Sequence, residues 1–179
     1  MKLFENQQID ITTLPRVRHI DFQKPQKSFL GLTMIRSIIF WFFMFIIFSL
    51  CIYLAREEYF EYITYARLAF YPLATFSILM TLISYFKRGH ALRDHDIVYK
   101  EGVIYRNTTT ISFNRIQHCE VSQDIFEQLF DLATIKIFTA GGQSSDLEIP
   151  GLSDEDAEKT KEFIINKIST IQLKHGEEE

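Results

Sequence analysis

Two long runs without a charged side chain constrain this chain more than any other feature. From Ser37 the sequence reads SIIFWFFMFIIFSLCIYLA, and from Leu68 it reads LAFYPLATFSILMTLISYF. About 20 apolar residues cross the hydrocarbon core of a bilayer as a helix. Both runs are apolar all round, so neither reads as the amphipathic core helix of a soluble domain. LGLTMI lengthens the first run upstream, interrupted only by Arg36, whose stem can carry its charge to the headgroups. The reading is two transmembrane helices, over 30–55 and 68–87. Pro72 falls near the start of the second, where an early turn or a kink accommodates it. Trp41, Tyr53, Tyr65, Tyr71 and Tyr85 fall mostly near run ends, as interfacial aromatics do. Ser49, Thr75, Ser77 and Thr81 are available for helix packing. A long polar segment precedes the first run and no small-residue cleavage site follows it, unlike a cleaved signal peptide.

The connection over 56–67 is too short for a domain, so the helices form an antiparallel hairpin. Arg16, Arg18, Lys24, Lys27 and Arg36 precede it, and Lys87, Arg88 and Arg93 follow it. The loop carries Arg56 and Arg67 but also Glu57, Glu58 and Glu61. The excess of basic residues lies on the side of the two termini, which predicts both termini in the cytoplasm and the hairpin tip outside. The first 29 residues are then a cytoplasmic segment. With Pro15 and Pro25 it forms no long helix; it lies along the inner membrane surface or is a positive flank.

Charge divides the chain in the same place. Residues 1–89 hold ten Lys/Arg and six Asp/Glu, whereas residues 90–179 hold nine and seventeen. The second half is therefore strongly acidic, which opposes binding to nucleic acid or docking on an anionic leaflet.

That half changes periodicity after the KRGH stretch of residues 87–90. DIVYKEGVIYR alternates about a Glu-Gly turn, predicting a hairpin with Ile97 and Tyr99 across from Val103 and Tyr105. TTTISFNRI and IQHCEVSQD read as further strands, IFEQLFDLA as a helical turn, and TIKIFTA and DLEIP as strands about a Gly141-Gly142 bend. SDEDAEKTKEFIINKISTIQLKH is a helix, with Ser153 as N-cap and Asp156 as capping-box partner. Acids crowd its start and Lys167 and Lys174 come late, complementing the helix dipole. Ile164, Ile168 and Ile171 form one stripe, so this helix closes the open side of a small bent sheet or barrel. The fold class is α+β.

No reactive constellation emerges. His90 and His95 are poorly spaced for one helix face, lack a third ligand, and read as a solvated junction beside Asp94 and Asp96. His118, Cys119 and Glu120 are consecutive in a strand, so alternation separates the Cys from its neighbours. Cys51 and Cys119 lie in different environments and form no disulfide framework. Gly141-Gly142 lacks the Lys and following helix of a phosphate loop. The expectation is no catalytic site, no cofactor and no metal.

The run ISFNRIQHCEVSQDIFEQLFDLATIKIFTAGG, followed by LEIPGLSDEDAEKTKEFI, resembles the bacterial pleckstrin-homology-like (PH-like) domain of the YdbS type. In that family an I-P-x-x-R-I-Q start leads to L-F-G-L-A-T-V, T-A-G-G and P-G-L-S before an acidic helix start. Asp124 and Ile125 stand where the family often has Gly-Pro, and Asp131 where it often has Gly. The resemblance implies a PH-like domain over 93–175 behind a transmembrane hairpin. It also implies a noncatalytic role in the cell (inner) membrane, with a partner membrane protein bearing similar domains. For some relatives it implies a part in envelope stress or antimicrobial-peptide resistance. Arg115 and Gln117 lie in the R-I-Q element; they either brace the helical turn or form a partner surface. A phosphoinositide site would gather several cations on the first hairpin, which offers only Lys100 and Arg106. A groove or an exposed sheet edge that binds protein fits better. The alternative from another class is a component of a small transport or lipid-handling complex.

Overall fold

A computed structural model describes residues 20–54, 60–140 and 145–176. The Gly141-Gly142 bend, Pro15, Arg16, Arg18, Arg56, Glu57 and Glu58 lie outside the described residues, as do the side chains from Gln172 onward.

Two helices come first, α1 (Lys27–Leu54) and α2 (Phe60–Lys87). Both are long and apolar enough to cross a membrane. They pack antiparallel through aromatic rings: Phe48 stacks on Phe70 at 4.9 Å, and Trp41 meets the same ring edge-on at 5.4 Å. Two of the small polar residues expected to be available for packing, Thr75 and Thr81, also bond within their own helix. Thr75 Oγ1 donates to the Tyr71 carbonyl and Thr81 Oγ1 to that of Ser77. Helix α2 starts earlier than its charge-free run, because a helix tolerates Glu61 and Arg67 that a hydropathy boundary does not. Residues 60–67, expected in the loop, are helical, and Pro72 is internal rather than near the start.

The domain consists of β1 (Gly89–Leu92), β2 (Asp96–Glu101), β3 (Asn107–Ser112), a 3-10 turn (Phe113–Arg115), β4 (Ile116–Ser122), α3 (Ile125–Leu129), β5 (Leu132–Thr139), β6 (Leu147–Ser153) and α4 (Asp154–Gly176). Two antiparallel three-stranded sheets result, β1-β2-β3 and β4-β5-β6. Strand β1 precedes residue 93, the expected start, and β2 pairs with it on one side and β3 on the other. The first hairpin also differs from expectation. Ile97 faces Ile111 and Tyr99 faces Thr109, with Glu101 closing on Asn107. Val103 and Tyr105 therefore belong to the connecting loop. Gly102, at φ 97°, makes the turn that a side chain would obstruct.

Ile97, Tyr99, Phe113, Ile135, Ile137, Ile149 and Ile164 form the domain core. Helix α4 closes it as expected: Ile164 is fully buried and Ile168 and Ile171 pack beside it. The Asp156 amide donates to Ser153 Oγ at 3.1 Å, capping the helix. Asp131, standing where the resembled family often has Gly, adopts φ 52° between α3 and β5. Asp tolerates this left-handed conformation better than most residues, so the turn survives the departure.

Candidate interaction surfaces

The domain is not tethered loosely to the hairpin. A second buried cluster joins Phe29 and Leu32 of α1 and Tyr85 of α2 to Leu132 of β5, with Leu30 and Phe130 at its margin. Tyr85, expected at a lipid interface, is buried here and its hydroxyl donates to the Pro25 carbonyl at 3.1 Å. Ahead of α1, Gln23 and His90 exchange backbone hydrogen bonds of 2.8 and 3.0 Å, adding a bridge to the outer edge of β1. The Gln26 amide donates to the carbonyl of Gly151 at 2.8 Å. Gly151 is at φ 79°, and a Cβ there would fall 2.6 Å from the Phe29 ring. Its absence lets Phe29 sit against β6.

Arg36 completes the join. Its guanidinium pairs with Asp124 and lies 5.6 Å from the centre of the Phe126 ring. It therefore points to a partner in the domain. Asp124 is also the N-cap of α3: its Oδ1 accepts from the amides of Phe126 (2.9 Å) and Glu127 (2.8 Å). Glu127 Oε2 in turn accepts from the Asp124 amide at 3.0 Å, closing a capping box. Burial works against the Asp124 carboxylate, yet these amides and Arg36 together hold its pKa below the ordinary value. The Asp124–Glu127 capping box went unread in the sequence, although its D-x-x-E spacing is a local signal; nothing local pointed to Arg36. The other oxygen of buried Glu127 accepts from Thr134 Oγ1 at 2.7 Å.

Arg115 and Gln117 are both exposed. Arg115 ends the 3-10 turn, Gln117 lies at an irregularity between Ile116 and His118, and neither makes a side-chain hydrogen bond among the described residues. Helix α3 lies at the opposite end of β4, so the bracing of the helical turn does not form. Arg115 instead contributes to the low pKa of Asp146, after the bonds this carboxylate accepts from the Thr139 hydroxyl and amide.

Next to the 3-10 turn lies the outer edge of β3. The Phe113 amide donates to the His95 carbonyl at 3.1 Å. Hydrogen bonding in an antiparallel pair alternates, so Ile111, Thr109 and Asn107 also bond toward β2. Thr108, Thr110 and Ser112 consequently aim their amides outward. Among the described residues no strand occupies that side. By contrast, α4 packs against β4 and α1 against β6. The NTTTIS stretch thus offers a β-prone row of backbone groups that no described strand pairs.

Reactive groups do not converge. His90 is buried in β1, not in a solvated junction, because the 20–26 segment covers it; burial lowers its pKa and Asp156 partly offsets this. It borders a crevice of about 460 Å³ with Gln26, Asp156, Lys159 and Thr160. Cys119 turns toward α4, where burial raises its thiol pKa, while His118 stacks outward on Phe138 at 4.3 Å. Among the described residues no three His, Cys, Asp or Glu side chains cluster to hold a metal. Both cysteines are free. Lys100 lies over the Phe22 ring at 5.6 Å and Arg106 is exposed on the loop.

Two helices long and apolar enough to cross a membrane, joined to two three-stranded sheets and a closing helix, define a membrane protein of the α+β class. The bacterial PH domain family matches residues 29–168, and the chain belongs to it. That match begins inside α1, in accord with the shared cluster. The chain is similar to the UPF0699 transmembrane protein YdbT of Bacillus subtilis (strain 168), 27% identical over 104 residues. The matched stretch is 58% of this chain and only 21% of that relative. A crystal structure of a DUF1696 family protein with a pleckstrin-homology domain from Shewanella loihica PV-4 is 16% identical, with a TM-score of 0.35. That likeness covers 47% of this chain and 73% of the other.

Proposed function

We propose that this protein is a noncatalytic assembly factor of the YdbS type. In this reading the hairpin crosses the cell membrane with both termini in the cytoplasm. The PH domain then receives an extended segment of a second membrane protein that carries similar domains. The open edge of β3 carries this reading. Its three outward amides offer main-chain hydrogen bonds to an added strand, and Arg115 and Gln117 stand where that strand would end. The acidic surface favours a partner segment with basic residues. Envelope stress and antimicrobial-peptide challenge are the settings in which the resemblance directs a search for a phenotype.

The test uses proline. Thr108→Pro with Thr110→Pro removes only outward-pointing amides, leaving the β2–β3 ladder intact. Full-length wild type and variant are purified in mild detergent from native membranes, and co-purifying proteins are quantified. A PH-domain membrane protein enriched with wild type and lost with the variant is the expected result. Identical partners for both would eliminate β3 as the binding edge.

A further inference from the structure

The helices are apolar beyond the point at which the domain touches them, and this sets the depth of the domain. Helix α1 changes character at Arg36. Phe29 and Leu32 are buried before it, whereas Ile38, Phe40, Phe42 and Phe43 are all exposed after it. The ring contacts of Phe70 with Trp41, Phe45 and Phe48, and the meeting of Tyr85 with Phe29 and Leu32, fix the antiparallel alignment. They place Arg36 level with Leu79 of α2. From Ser37 to Leu54 the helix rises about 27 Å, close to the hydrocarbon thickness.

Two domain segments reach that same level. Helix α3 does so at Arg36, through Asp124 and Phe126. The 102–106 loop does so beside α2: Val103 and Ile104 wall a crevice of about 430 Å³ with Ser77, Met80, Thr81 and Ser84. Both segments carry large apolar side chains that none of the described residues covers. Ile104 is 87% exposed, Tyr105 84%, Ile125 77% and Leu129 74%. Among the described residues these are the most exposed large hydrophobic side chains of the domain, and both segments that carry them lie beside the hairpin.

We infer that the 102–106 loop and α3 form an apolar collar inserted into the headgroup–acyl boundary of the membrane that the hairpin crosses. The occupant follows from continuity with the exposed helix surface. A membrane plane at the ends of the helices, near Lys27 and Lys87, would immerse Asp124 and the domain join in hydrocarbon. A plane beyond Phe40 would leave Ile38, Ile39 and Phe40 in water. A plane at Arg36 and Leu79 avoids both, and at that level the four side chains enter lipid while Arg36, Arg88 and Arg106 stay among headgroups. Apolar side chains of interfacial elements reach about 5–10 Å below the headgroups, and Tyr105 has the amphipathic ring that favours this zone. The acidic surface does not oppose it, because insertion here is apolar and the hairpin holds the domain at the surface. The inference requires the hairpin to cross a membrane and is independent of any partner at β3.

The test places the environment-sensitive dye NBD on Ile104→Cys and, separately, Leu129→Cys, in a Cys51→Ser, Cys119→Ala background of the full chain. Each is reconstituted at one chain per phosphatidylcholine/phosphatidylglycerol nanodisc, which excludes a second copy. Glu162→Cys, exposed on α4, is the water-facing control. Quenching at 104 and 129 by lipids spin-labelled near the top of the acyl chain, with resistance to aqueous iodide, is the expected outcome. Iodide quenching equal to that of the control overturns the inference. Protection from both quenchers also overturns it, since protein would then cover the tips. If the cysteine-free background does not fold, Ile104→Trp and Leu129→Trp in a Trp41→Phe chain, read with brominated lipids, give the same decision.

Discussion

Ile97, Phe113, Ile135, Ile137, Ile149 and Ile164 are buried by one another inside the domain. Phe29, Leu32, Tyr85 and Leu132 are buried only where the hairpin meets that domain. The first cluster is what a small two-sheet domain needs to exist. The second makes orientation a property of the fold: the PH domain is mounted on the helices at a fixed height, with α3 and the 102–106 loop beside them. A domain on a flexible tether would need neither the left-handed Gly151 under Phe29 nor the pairing of Arg36 with Asp124. The two clusters should therefore fail differently when damaged.

The largest effect is expected in the domain core. Phe113→Ala removes a fully buried ring that also meets Phe163 edge-on at 6.0 Å, and should cost about 3–5 kcal/mol. Thermal unfolding in nanodiscs should show the sheets melting earlier while the two long helices persist. At the seam, Gly151→Ala forces a Cβ against Phe29 and strains a left-handed backbone, at about 2–4 kcal/mol. Hydrogen exchange should accelerate over residues 27–36 and 149–152 yet remain slow in β4. Equal acceleration throughout would show that the two clusters are one cooperative unit.

A smaller loss, about 1 kcal/mol, is expected for Asp124→Ala, mostly from the lost cap of α3, since an exposed ion pair adds little. If Arg36→Gln proves as costly as Asp124→Ala, the ion pair rather than the cap secures that end of the seam. The gentlest probe is pH. His90 has a lowered pKa in the folded chain, so on acidification the unfolded chain takes up this proton first. The stability associated with neutral His90 is complete above its ordinary value of 6.5 and declines as pH falls below it. The low-pKa carboxylates Asp124, Asp146 and Asp156 act in a separate window, losing their contribution only below 3.8. His90→Asn should flatten the unfolding temperature between pH 7 and 5; an unchanged slope would place the sensitivity elsewhere.

The two helices, the order of the strands after Asp96, the small helix and the capped closing helix were all readable from the chain. Hydropathy and periodicity are local properties, and so is the cap at Ser153; the cap at Asp124 is equally local but went unread. What escaped was long-range. The short strand β1 is invisible without β2 to pair with, and His90 looked solvated because its cover comes from residue 23 and beyond. The loop after Gly102 was read as strand because Val103 and Tyr105 alternate correctly, although their exposure serves no sheet.

By itself the sequence determined that this protein has a membrane half and an acidic α+β half, because transfer of apolar side chains and charge depend on composition along a short window. Only the tertiary structure decided how the halves meet. Whether Tyr85 faces lipid or protein, whether Arg36 reaches headgroups or Asp124, and which sheet edge stays open depend on contacts between residues far apart in the chain, as Gln26 is from Gly151. No local pattern encodes them, since their energy exists only once both surfaces are formed and brought together.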